Sequence, residues 1–293
     1  MTTTRTDDNP DELHSLTPRR RAEAADLDRD YTLGRGPAEQ DRLQRQAAHL
    51  RGLSAALLDH VPAQSGSALV DLGCGPTGIL DLMAGRAGPS GCVVGVDLDP
   101  AHVESARAFA RERGLANVAI VRGDARRTSL PSATFDLAHT RLVLTNISNP
   151  EQVAHEMARL LKPEGHAAAL EVDLLGLCYP PHPAWERLTD LLTAVSRCRG
   201  ADAHVGRRPP ELLRGAGLTD IGVEARTEVC PPGHPQRTVI TDLIDHSRSK
   251  IVQTGLADDA ELDSLLAAAR RHLAAPSTIV LPVIYFLAWA RKP

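Results

Sequence analysis

Three carboxylates, each closing an apolar run, are the residues of this 293-residue chain best placed to do chemistry. Asp71 ends the run that begins at Ala68, and Asp97 ends Gly91-Cys92-Val93-Val94-Gly95-Val96. Asp124 follows the next run, in Gly123-Asp124-Ala125. After the first acid, Gly73-Cys74-Gly75-Pro76-Thr77-Gly78 breaks the chain; Gly73 and Gly75, lacking Cβ atoms, let the backbone turn sharply and approach a ligand. A strand, a glycine turn, a helix and a second strand tipped by an acid form a nucleoside-binding half-fold. The tip carboxylate accepts hydrogen bonds from ribose hydroxyls. The elements that must position these groups are predicted as strand 67–72, helix 77–87, strand 92–97, helix 100–113 and strand 117–122. Asp99-Pro100 supplies an acidic cap and a first-turn proline for the second helix.

The glycine pattern alone does not choose among NAD, FAD and S-adenosylmethionine (SAM). The charge at Asp71 does, because a carboxylate two residues before the first glycine repels a pyrophosphate but suits a cationic amino group. Val70-Asp71-Leu72-Gly73-Cys74-Gly75, Val94-Gly95-Val96-Asp97, Gly123-Asp124-Ala125 and Leu160-Leu161-Lys162-Pro163-Glu164-Gly165 together resemble the ordered motifs of class I SAM-dependent methyltransferases, small-molecule type. Thr77 stands where that family usually has its third glycine, and Glu164 where it has a glycine in Lys-Pro-Gly-Gly. The resemblance implies an α/β fold. Its core is a Rossmann-like, seven-stranded, mostly parallel sheet with helices on both faces, and insertions after strands 5 and 6 build a helical cap. It also implies SAM as cofactor and S-adenosylhomocysteine as product. Asp71, Gly73, Cys74 and Gly75 then form the turn, Asp97 takes the ribose, Leu98 lies against the adenine, and Asp124 and Ala125 meet its edge. Thr140 and Arg141, ending the fourth strand, face the methionyl group or the substrate. Tyr31 covers the methionyl end, and Arg42 or Gln46 reaches its carboxylate.

Around this core, residues 1–28 are polar and read as a disordered tail, and 29–293 as one SAM-binding domain. Residues 29–62 read as N-terminal lid helices, with Leu43, Ala47, Leu50, Leu53 and Leu57 at helical spacing. Residues 174–208 and 231–275 read as cap insertions, and Pro282 marks the last strand as irregular or an edge. A net charge of −4 gives no footprint for nucleic acid. Five cysteines without C-x-x-C pairs are neither a disulfide framework nor a zinc site. Neither a signal peptide nor a membrane-spanning run is evident, so the expected location is the cytoplasm. The oligomeric state stays open, a homodimer through the N-terminal helix being one option.

Methyl transfer needs nucleophile, methyl and sulfur in line in a dry site. A base is needed only if the acceptor must first lose a proton. His182, His204 and His139 are the candidate bases, although strand alternation turns His139 toward the sheet. Glu171 and Asp173 end the fifth strand where substrate would enter. No Asp-Asp-Asn set is apparent, so no metal is expected. Thr140-Arg141-Leu142-Val143 stands where nucleic-acid methyltransferases carry Asn/Asp-Pro-Pro-Tyr/Phe. The expected reaction is methylation of O, N or C of a small organic acceptor in specialised metabolism. The alternative is a non-methylating cyclase, isomerase or decarboxylase on the same fold.

Overall fold

The computed structural model describes residues 37–293. The polar tail and Tyr31 lie outside the described residues, as does the side chain of Arg42. Helix α1 (Pro37–Asp59) leads into β1 (Ala68–Leu72), α2 (Leu80–Ala87), β2 (Cys92–Asp97), α3 (Pro100–Glu112), β3 (Val118–Arg122) and β4 (Phe135–Arg141). Helix α4 (Pro150–Leu160), β5 (Leu161–Tyr179), α5 (Pro183–Cys198), α6 (Pro209–Gly215), β6 (Thr219–Arg226), α7 (Val239–Gln253), α8 (Asp259–Ala274) and β7 (Ile279–Arg291) follow. The seven strands form one sheet in the order β3-β2-β1-β4-β5-β7-β6. Only β7 runs antiparallel to its neighbours. This is the Rossmann-like α/β architecture expected from the motifs.

Local chemistry sets the boundaries. Helix α2 starts three residues later than its periodicity predicts, because Gly78 has φ +52, a left-handed conformation that a helix cannot contain. Asp99 accepts the Ala101 N–H at 2.7 Å and caps α3, a contact worth about 1 kcal/mol. Strand β5 departs most from expectation. It runs on through residues 174–179, predicted as the start of an insertion, because the far end of β7 pairs with it as far as Tyr179. The register shifts between Leu174 and Leu177, where Gly176 has φ +62, and Pro282 lies opposite this bulge. Strand β6 stops at Arg226, opposite Tyr285. Pro282, with no N–H to donate, is therefore tolerated in a strand that elsewhere lies inside the sheet.

Apolar side chains alternate between two layers. Leu69, Val93, Leu137, Ala168 and Leu170 pack against the α1–α3 face, and Val70, Leu72, Ala138 and Ala167 against the face covered by α4 and α6. A third cluster belongs to α5, α7 and α8: Trp185, Leu188, Ile240, Ile244, Leu262 and Leu266 are buried together. The Trp185 indole donates to Gly176 O at 2.7 Å and so ties this helical group to the β5 bulge. Among the described residues no helix is long and apolar enough to cross a membrane.

Candidate functional site

A cavity of about 320 Å³ opens at the carboxyl ends of β1, β2 and β4 and extends beneath the helical group. That is where an open parallel sheet binds its ligands, and within the usual size range of small-molecule sites. Parallel register decides which strand residues reach it. Asp71 is aligned with Gly95 on one side and His139 on the other. Asp71 and His139 therefore point to the same face, and His139 Nδ1 lies 2.7 Å from Asp71 Oδ1. Both are buried, but only Asp71 lines the cavity. His139 thus orients a carboxylate and does not reach a substrate. Arg141, two residues on, shares that face and enters the cavity. Its guanidinium donates to Ser54 Oγ and Gly78 O, each at 3.2 Å. Burial lowers its pKa, and the nearby charges of Asp71 and Asp81 oppose that shift.

Thr140 does not line the cavity. Aligned with Leu72, it turns to the opposite face, where its hydroxyl donates to Leu72 O and is fully buried. Glu171 and Asp173 are not at an entrance either, both being buried. The Glu171 carboxylate accepts the N–H groups of Val143, Leu144 and Thr145 and the Thr145 hydroxyl, and so shapes the loop after β4. Burial nevertheless pushes its carboxyl up to about 7. Asp173 is gripped by Arg207 at 2.8 and 2.5 Å, with His204 Nδ1 at 3.2 Å. His204 is thereby held outside the cavity lining. His182 is a helix cap: its Nδ1 accepts the Ala184 N–H, and its ring packs on His272 at 4.6 Å, away from the cavity. No candidate histidine lines the cavity, because each is held by another structural contact.

The remaining predicted residues converge. Gln46, Asp71, Gly73, Cys74, Gly75, Asp97, Leu98, Asp124, Ala125 and Arg141 all line the cavity. Gly73 has φ +72, and a Cβ there would meet Val143 Cγ2 at 2.3 Å; one on Gly78 would meet Cys74 O at 2.6 Å and Asp71 Oδ2 at 2.8 Å. Asp97 accepts the Gly75 N–H at 2.8 Å and the Asp99 N–H at 3.0 Å, with His102 Nδ1 at 3.3 Å. An ionised carboxylate has about four acceptor sites, which leaves room for a diol. Burial, then the charges of Asp71 and Asp97, raise the Cys74 thiol well above its ordinary range, so it is no nucleophile.

Sequence reasoning missed several lining residues. Arg126 is mostly buried and paired with Asp124 at 3.0 Å. Leu192, Ser196, Arg199, Val239, Leu243 and Tyr285 come from α5, its C-cap, α7 and β7. No motif links positions so far apart, and only docking of the helical group brings them together. Among the described residues, His49, Glu228 and His234 also approach one another with ligand-type atoms within 4.8 Å. His234 Nδ1 accepts the Gln236 N–H, so the ring carries its proton on Nε2, the atom that faces Glu228.

The residues fit SAM by the chemistry of the donor set. A buried carboxylate (Asp71) and a buried guanidinium (Arg141) match an amino acid's two charges. A glycine cradle that a Cβ would fill separates them from two further carboxylates, Asp97 and Asp124, suited to a ribose and an adenine amino group.

Comparison with known proteins agrees with the fold. Residues 70–169 match the family model described as a methyltransferase domain. The nocamycin O-methyltransferase of Saccharothrix syringae is 35% identical over 131 residues, 45% of each chain. Geranyl diphosphate methyltransferase, solved with GPP and sinefungin, superposes with a TM-score of 0.52 at 20% identity over 89% of this chain and 86% of that one. The cyclase SpnF superposes with a TM-score of 0.52 at 22% identity, covering 82% and 80% of the two chains. The chain spans about half or less of the length of the curated relatives it matches first. Residues 70–169 thus match a methyltransferase domain, and they lie within the seven-stranded Rossmann-like sheet described above.

Proposed function

We propose that the chain is a SAM-dependent methyltransferase acting on a small organic acceptor of specialised metabolism. The observation that carries the reading is the convergence of Asp71, Arg141, Asp97 and Asp124 around one glycine cradle. In this reading Asp71 holds the α-ammonium group, braced by His139, and Arg141 holds the α-carboxylate. Asp97 accepts the ribose hydroxyls, and Asp124, kept in place by Arg126, accepts from the adenine amino group. Leu98 and Ala125 flank the base, and Gln46 of α1 closes over the methionyl side. Bound SAM supplies a methyl group on a sulfonium, which becomes a neutral thioether when the methyl leaves. The protein's share is to align the acceptor with that methyl and to exclude water. The relative from Saccharothrix favours oxygen as the accepting atom.

Calorimetric titration with SAM and S-adenosylhomocysteine, on wild type and Asp97→Ala, tests this reading. Micromolar binding by wild type and a loss of about a hundredfold in the variant are expected, since a charged hydrogen-bonding group is removed from a closed site. Absence of binding by wild type refutes it. With an acceptor in hand, a product heavier by one methylene unit marks methyl transfer. An unchanged mass marks the cyclase or isomerase alternative.

A further inference from the structure

We propose that the part of the cavity under the helical group takes an amphipathic organic anion, a carboxylate or an enolate. Its charge lies against Arg199, and its apolar body lies against Leu192, Val239 and Leu243. The inference rests on the SAM reading of the strand-end half and names the substrate class for it.

Two observations lead there. Arg199, the C-cap of α5, is partly buried, and its Nη2 reaches Ser247 Oγ at 3.5 Å. Among the described residues no carboxylate stands at ion-pair distance from it, whereas Arg126, Arg207 and Arg248 each have one. Burial lowers the pKa of Arg199, as expected for a cation taken partly out of water without a counter-charge. An anionic ligand supplies that charge in a charge-assisted hydrogen bond, and the planar guanidinium fork suits both oxygens of a carboxylate or enolate.

The second observation is what this half of the cavity omits. Its described polar lining is Thr145, Asn146, Ser196, Gln236, Ser247 and Tyr285, with no carboxylate and no imidazole. Burial, then the charge of Glu228, drives the Tyr285 phenol far above its ordinary range, so it donates hydrogen bonds and does not take protons. An alcohol of ordinary acidity finds no base here, but an acid already ionised in water needs none. Transfer to such an anion balances without a proton. A lone pair on oxygen forms the new bond to the methyl carbon, the carbon–sulfur pair stays on sulfur, and the anion and sulfonium charges cancel.

The test uses the full chain saturated with S-adenosylhomocysteine and titrated calorimetrically with decanoate and naphthoate, each compared with its primary amide. At least one acid should bind and its amide should bind about tenfold or more weakly. Arg199→Gln should weaken the acid by about tenfold to a hundredfold and leave the amide unchanged. Arg199→Lys should recover part of the loss. Unchanged S-adenosylhomocysteine affinity in both variants serves as the control for folding. The proposal is overturned if neither acid binds, if acid and amide bind alike, or if Arg199→Gln binds the acid like wild type. Wild type that fails to bind S-adenosylhomocysteine brings down the cofactor reading itself, an outcome visible before any acid is added.

Discussion

The two halves of the cavity are made of different material. The strand-end half holds four carboxylates, Asp71, Asp97, Asp99 and Asp124, within a span of 54 positions, and local partners fix each one tightly. Asp71 has His139, Asp97 has two backbone N–H groups, Asp99 has the Ala101 N–H, and Asp124 has Arg126. The half under the helical group has no described carboxylate, one cation and a wall of aliphatic side chains. Fixed hydrogen-bonding groups select a ligand by its polar pattern, since any mismatch leaves a buried group unpaired. Aliphatic walls select by volume and tolerate change within about 1–3 kcal/mol per methylene. One half is therefore suited to a single ligand, and the other to whichever molecule its shape and its one charge admit.

The sharpest way to break this contrast is to damage one half and ask whether the other survives. Gly78→Ala places a methyl group 2.6 Å from Cys74 O at a left-handed φ, with backbone on the receiving side. The expected cost is about 3 kcal/mol or more, read as S-adenosylhomocysteine affinity falling at least a hundredfold. The far-ultraviolet dichroism should stay native.

Arg237→Ala attacks the opposite half. Arg237 is buried and donates to four carbonyls, those of Cys230, Leu273, Ala275 and Thr278. Its removal takes a charged donor from all four, Ala275 O alone keeping the Thr278 N–H as a printed backbone partner, and should destabilise the α7–α8 group by about 3 kcal/mol. Hydrogen exchange should rise in α7 and α8 and not in β1 or β2. S-adenosylhomocysteine affinity should change less than about threefold, because Arg237 is not among the cavity-lining residues. A parallel loss of both would mean that the halves fold as one unit.

The smallest effect concerns Glu171, which braces the loop after β4. Its carboxyl sits at about 7 in the fold against an ordinary 4.5, so its folded pKa is the higher of the two. The stability it contributes is fully present below about pH 4.5 and is lost as the pH rises through 7. Denaturation midpoints of wild type and Glu171→Gln, compared across that window, should show wild type gaining on the variant as the pH falls. The expected gain is at most about 3 kcal/mol across the whole window. A flat difference would show that Glu171 does not titrate in that range.

Legibility in the sequence followed the range of the interactions. The glycine turn and the acids at 71, 97 and 124 were readable because strand, turn and helix signals are local, and their spacing fixes where a side chain emerges. The same locality exposed the Asp99 cap. Thr140 was misplaced because alternation on β4 depends on register with β1, and pairing with Leu72 turns it to the other face. His182 and His204 looked available because the groups that occupy them are not motifs. One is the Ala184 N–H with the His272 ring, and the other is Asp173, 31 residues upstream. Strand β5 was read short because its last residues owe their extended form to β7, about 100 positions later.

By itself the sequence determined the Rossmann-like core and the glycines and strand-tip acids that line the cavity at its strand ends. Apolar runs, glycines and strand-tip acids act through the backbone within a few residues of themselves. Tertiary structure alone decided that His139, His182 and His204 stay out of the cavity lining and which side chains wall the space under the helical group. It also left Arg199 beside that space without an acid among the described residues. Those outcomes arise from strand register within the sheet and from packing α5 and α7 over it. The contacts span stretches of chain that no periodicity connects, and they exist only when the helical group is docked.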